Sequence, residues 1–468
     1  MNTLKIAARN ILRNARRSSM TILAIAVGTM SMLIFGEFVS RIFVALETQN
    51  VTRSGHITVF RSGYFKYGSG NPAAYGIHDY QSVLGLIAED PVLKPLINVV
   101  TPTINLFGIA GNFDAEASKT FFGFGVIPAD FNRMHLWDEH QLKLAAFYGI
   151  EPLNERDETH GQIGVGLGRI LGLCEPLKIP GCTKQQGGDQ MTQTPSGQSK
   201  RDFSALEEKS NRPTSEPQRG TAPRLDLLAA TAASAPNVVN FYVDKAVSQG
   251  VKEYDDSLVI MNFSLAQQLL YGRGEKQALG IVLQLHRTED IPIARTRLQQ
   301  LIKGNKLDLE TRELTELQPF YKQAVGMFAA IFSFISAVMA VIVLFTIVNT
   351  MSMSVMERTH EIGTLRAMGV KKRGITAQFV LEGALLGLIG ATLGLIVGSA
   401  VAHIVNHAGL TWQPPGQAFP TPLKVLTQGV SHLMFGIWIG LGVLSTIAAW
   451  VPAHRAARMK IVDALGHV

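Results

Sequence analysis

The sequence predicts a membrane protein of four transmembrane α-helices, with a large extracytoplasmic α+β domain between the first and second helices. Three observations carry this. Four apolar runs, each long enough to cross a bilayer, lie at Met20–Phe38, Ala324–Asn349, Ala377–Val405 and Met434–Val451. Basic residues gather beside the ends of these runs. Between the first and second runs, strand-like and helix-like periodicities alternate.

The bulk composition agrees. The chain has 468 residues, room for two or three domains. Charged residues make up 17% and the mean hydropathy is +0.17, apolar for a soluble chain yet too polar for one held mostly in a bilayer. The net charge of +7 would suggest nucleic acid in a soluble protein. Here it lies beside the apolar runs, so membrane lipids and topology account for it, and no nucleic-acid partner is expected.

Residues 1–19 carry Lys5, Arg9, Arg13, Arg16 and Arg17 and no acid, with Leu4, Ala7, Ala8, Ile11, Leu12 and Ala15 between them. This is an amphipathic helix suited to a membrane surface. The first span follows over 20–39. It is too long for a signal-peptide core, and no small-residue cleavage site follows it. The other spans are placed at 323–350, 377–405 and 434–451, joined by a charged segment at 352–376 and a loop at 406–433. The segment 352–376 has Arg358, Arg366, Lys371, Lys372 and Arg373, and the tail 452–468 has Arg455, Arg458 and Lys460, whereas the loop 406–433 has a single Lys and no Arg. The excess of positive charge places both termini and 352–376 in the cytoplasm, and 40–322 outside.

In the outer domain, "SGHITVFRSGYF" (54–65) alternates like a strand. "DSLVIMNFSLAQQLLYG" reads as strand then helix, "LGIVLQLH" (279–286) as a strand and "IPIARTRLQQLIKG" (291–304) as an amphipathic helix. Residues 183–235 are rich in Gln, Ser, Thr, Pro and Gly, and read as a disordered insertion. Cys174 and Cys182 are either two inert thiols or one disulfide. In the third run, Gly390, Gly394 and Gly398 repeat at four, the spacing that lets helix backbones approach; ordinary membrane-helix glycine reads the same way.

The chain contains no G-x-x-x-x-G-K-[ST], no G-x-G-x-x-G, no H-E-x-x-H and no G-x-S-x-G. "EYDD" (253–256) reads as a solvated turn rather than a metal site. No catalytic or metal-binding residues are assigned. Glu37 and Glu382 lie near span ends, where snorkelling or a partner such as Arg41 suffices.

That leaves "MSVMERTHEIGTLRAMGVKKRG" (353–374). Arg358 stands at i, i+3 to Glu361; Ile362, Leu365 and Met368 form an apolar strip; Gly369 stops the helix and Lys371–Arg373 suit its negative end. A short rigid helix with apolar anchors and charged flanks is what a docking element needs, although a helix lying on head groups has the same pattern.

"ERTHEIGTLRAMGVKKRGI" closely resembles the cytoplasmic segment of FtsX/MacB-type ABC transporter permeases. "LKIAARNILRNARRSSMTILAIAVGTM" is similar to their opening helix and first span, and "WVPAHRAARMKIVDALGHV" to their closing motif, with Ile461 where a proline is usual. "IGVGLGRILGL" and "VKEYDDSLVIMNFSLAQQLL" look like their periplasmic core domain; "GHITVFRSGYF" and "LTWQPPG" lean toward the lipoprotein-releasing branch. The resemblance implies a bacterial inner-membrane permease that pairs with a second copy or a paralogue. It implies a separate ATPase, which would bind ATP and Mg, so this chain needs no cofactor and is not an enzyme. It further implies docking of that ATPase on Glu357, Arg358, Glu361, Ile362, Leu365, Arg366 and Met368. Motion would pass to the periplasmic domain to release or export a substrate such as a lipoprotein or lipid. The alternative within the family is a regulator of a periplasmic partner such as a cell-wall hydrolase.

Overall fold

A computed structural model describes residues 2–142, 152–179, 222–272, 276–413, 420–427 and 429–459. The chain divides into a helical unit, up to Gln49 and again from Thr315, and a second unit, Asn50–Leu314. The helical unit opens with α1 (Asn2–Arg13) and α2 (Ala15–Ser54). Only Asn14 separates them, and its N–H still donates to Asn10 O at 3.2 Å while its carbonyl accepts from Ser18 N–H at 3.0 Å. The break therefore falls five residues before the expected end of the surface helix. At 1.5 Å per residue the 40 residues of α2 run about 60 Å, twice a bilayer core.

The second unit is built on β1 (Ile57–Arg61), β2 (Ile97–Asn112), β3 (Ala117–Val126), β4 (His160–Gly164), β5 (Arg224–Ala230), β6 (Pro236–Val247), β7 (Leu258–Asn262), β8 (Gly280–Leu285) and β9 (Leu309–Glu313). Among the described residues the order is β3-β7-β4-β6-β5-β2-β8-β1-β9, and β3 also pairs with β2. Six strands thus close into a ring, from which β8, β1 and β9 extend. The 16-residue β2 makes both possible: residues 97–103 pair with β8, and residues 104–112 with β3. Two neighbours run parallel, β3 with β7 and β4 with β6.

Helices α3 (Tyr80–Glu89), α4 (Pro128–His135), α5 (Val165–Ile170), α6 (Phe263–Tyr271) and α7 (Ile291–Gly304) accompany these strands. Asn262 caps α6, its side chain accepting from Ser264 N–H at 3.0 Å. The main apolar cluster of this unit includes Ile57, Ile104, Phe121, Leu225, Phe241, Val259 and Ile281. The strand and helix expectations at 258–271, 279–286 and 291–304 correspond to β7–α6, β8 and α7. β1 is a strand, but four of its five residues are buried, so the alternation read there does not mark a solvent face.

The expected insertion at 183–235 is too long. Residues 224–235 form β5 and the turn to β6, because Leu225, Leu227 and Ala229 supply the inward side of a strand. Residues 183–221 lie outside the described residues.

The helical unit resumes with α8 (Pro319–Glu357), α9 (Thr359–Ala367), α10 (Lys372–His407) and α11 (Ser431–Arg458), with a small β10 (Thr411–Trp412) and β11 (Thr421–Pro422) pair before α11. The helices α2, α8, α10 and α11 are each long and apolar enough to cross a membrane. α10 packs through glycine. A Cβ on Gly390 would lie 2.7 Å from Ile25 Cβ, one on Gly394 2.5 Å from Ala26 O, and one on Gly398 3.0 Å from Leu33 Cδ2. All three therefore face α2, while Gly383 and Gly387 face Ala449 and Ser445 of α11.

Candidate functional site

The segment between α8 and α10 is the place where charge, exposed apolar side chains and a tight turn coincide. α8 continues to Glu357, so the separate helix is only the nine residues of α9. Gly369, at φ +92°, closes it in a conformation that a side chain would strain.

The predicted apolar strip does not lie on one surface. Ile362 is 3% exposed and packs in a cluster with Ile11, Val355, Ile375, Phe379 and Ala453, whereas Met368 is 68% exposed. Leu365 is half-buried. The spacing of three carries successive residues part way around a helix, and the neighbouring spans cover one side of it.

The predicted Arg358–Glu361 pair is also replaced. Arg358 turns inward: its Nη1 donates to Glu382 Oε2 at 3.3 Å, with side chains only 4% and 5% exposed. Asn10 Nδ2 donates to the same oxygen at 3.5 Å. Among the described residues, Arg358 Nε and Nη2 have no hydrogen-bond partner. Glu382 is thus held in a buried ion pair rather than snorkelling. Glu37 is likewise buried, and its Oε2 has no hydrogen-bond partner among the described residues.

Glu361 instead accepts from Arg13 Nη2 at 3.0 and 3.2 Å. Glu357 accepts from Arg17 Nη1 at 2.8 Å and also from its Nη2. These exposed pairs stabilise by about 0–1 kcal/mol each, so they bear on register more than on stability. Arg366 is half-buried and donates through Nη1 to Ala457 O at 2.6 Å, which ties α9 to the last turns of α11. Of the seven residues proposed from sequence, Arg358 and Ile362 are therefore interior, Leu365 and Arg366 are partly covered, and Glu357, Glu361 and Met368 face outward. Met356, 70% exposed, and His360 and Thr364 join them. Sequence reasoning missed Asn10, Arg13 and Arg17 because their basic helix was assigned to head groups. Their spacing of three and four was the available signal.

Two other motifs resolve as packing. Gly164 and Gly166 lie against Asp255 and Asp256, where no Cβ fits. Asp255 is buried, not solvated: it accepts from Ser248 Oγ at 2.8 Å and Gln249 N–H at 2.6 Å, and burial raises its pKa. Cys174 is disulfide-bonded, and Cys182 lies outside the described residues, as does the tail beyond Met459.

Residues 333–461 match the family described as FtsX-like permease C-terminal. The chain is similar to an uncharacterized ABC transporter permease of Methanocaldococcus jannaschii, 24% identical over 237 residues, covering 48% of this chain and 54% of that protein. It is also similar to the macrolide export ATP-binding/permease protein MacB of Brucella abortus, at 27% over 225 residues, covering 47% of this chain and 32% of that one. The protein of the same name from Neisseria meningitidis serogroup A matches at 26% over 195 residues, covering 41% and 28%. The chain thus spans about half the length of the archaeal relative and a third or less of the MacB proteins.

Proposed function

We propose that this chain, an ABC permease of the FtsX/MacB type, is the membrane subunit through which a separate ATPase drives work on the far side of a membrane. The observation that carries this reading is the family match itself. It runs from within α8, through α9 and α10, to the end of α11, and so contains the whole segment between the spans. The basic charge beside α1, α9 and the end of α11 supports a cytoplasmic position for that side of the bundle, in a bacterial inner membrane, with Asn50–Leu314 in the periplasm. The ATPase attaches at α9, on the surface around Met356, His360, Thr364 and Met368. The permease works as a pair with a second copy or a paralogue. Motion passes along the spans to the periplasmic domain and releases or expels a substrate such as a lipoprotein or lipid, with ATP and Mg held by the ATPase.

The test is a mild-detergent purification of the full chain from its native cells with identification of what accompanies it. An ABC ATPase should be retained, and Met368→Asp should lose most of it while inserting normally. Retention of the ATPase by Met368→Asp removes α9 as the attachment site, and its absence from the unmodified chain removes the reading.

A further inference from the structure

The carboxylates that the sequence offers to a partner are already engaged within the chain. Glu361 is paired to Arg13, Glu357 to Arg17, and Glu382 to Asn10 and Arg358. Asn10, Arg13 and Arg17 stand at i, i+3 and i+7, one face across the near-continuous α1 and α2. Ile11, between the rungs, is buried in the same cluster as Ile362 of α9. α9 is therefore joined to α8 and α10 by the chain and to α1 by the Arg13–Glu361 rung, while Arg17–Glu357 ties α2 to the end of α8 and Asn10–Glu382 ties α1 to α10. α2 is the helix whose end at Ser54 leads into β1.

We infer that Arg13 and Arg17 are positioning residues that yoke the α9 segment to the first span. The side chains of Glu357 and Glu361 serve this internal yoke and do not recognise the ATPase, which meets Met368 and its exposed neighbours. Displacement of α9 then enters the near-continuous α1 and α2 through Arg13, and again through Arg17 at the end of α8, as well as passing along α8 and α10. The inference rests on the reading of α9 as the attachment site.

The experiment uses the full chain with its co-purified ATPase, reconstituted in vesicles. Arg13→Glu/Arg17→Glu and Glu357→Arg/Glu361→Arg should each keep the ATPase bound and lower ATP hydrolysis about five-fold. Combining all four reversals should return it to within about two-fold of the unmodified complex, and Arg13→Lys/Arg17→Lys should change it little. A merely structural role would instead lower the amount of inserted protein and of bound ATPase. Loss of the ATPase in Glu357→Arg/Glu361→Arg, unrestored by the four-fold swap and with the arginine reversals silent, overturns the inference, since the carboxylates would then face the partner. If the unmodified chain retains no ATPase, the proposed function fails separately. The yoke is then read by labelling Met368→Cys with an impermeant maleimide in inside-out vesicles. Faster labelling in both reversals, restored in the swap, supports it; an unchanged rate overturns it.

Discussion

His56 is 1% exposed, and its Nδ1 accepts the Leu285 N–H at 3.0 Å while Nε2 lies 3.2 Å from Thr288 Oγ1. Burial lowers its pKa from 6.5 to about 4. The unfolded chain takes up this proton first, so the stability held by neutral His56 is complete above pH 6.5 and is lost as pH falls toward 4. The loss should approach about 3 kcal/mol, and His56→Gln should flatten the pH dependence of the unfolding midpoint in that window. Arg358 and Glu382 make the second residue-scale case. Removing one partner, as in Glu382→Leu, should cost about 3–5 kcal/mol by leaving a buried charge. Arg358→Leu/Glu382→Leu should recover most of that, as read by thermal unfolding in detergent. The sequence placed an equally plausible acid one helical turn from Arg358, so nothing local distinguished Glu361 from Glu382. Packing against α10 makes that choice.

At the level of elements, the four spans were legible because each is a long apolar run, a signal that no tertiary contact needs to supply. Their ends were not, since α2, α8 and α10 continue into polar sequence once neighbours or solvent satisfy those residues. The glycine repeat on α10 was visible, and its target was not: α2, 360 and more residues earlier in the chain, is set by the bundle. Gly394→Leu should overpack that contact and cost about 1–3 kcal/mol or more. Gly440→Leu, where no packing neighbour among the described residues lies within 4 Å of the added Cβ, should be neutral in the same thermal assay. β5 was lost inside a polar stretch because seven residues with three inward apolar side chains carry too little periodicity to stand out.

For the whole molecule, the proposed topology places α9 and the β10–β11 pair on opposite sides of the membrane. A cysteine at His360 should react with an impermeant thiol reagent only in inside-out vesicles, and one at Thr411 only in right-side-out cells. Labelling of both from the same side would contradict the charge argument. The ring of six strands belongs to this scale as well. Its closure depends on β2 pairing with β3 along one edge and with β5 along the other, the latter joining residues up to 119 positions apart in sequence, as between Ile109 and Leu228. Such pairings leave no mark in any window of residues.

Hydropathy and charge are sums over local stretches, so span number, the position of the large α+β unit and the charged segment between the second and third spans could be read from the chain unaided. The partner of each charge is a matter of three-dimensional neighbours. Only the tertiary structure could turn Arg358 and Ile362 inward, give Glu357 and Glu361 to the arginines of α1 and α2, and leave Met368 outside, because a helix face has no inside until other helices cover it.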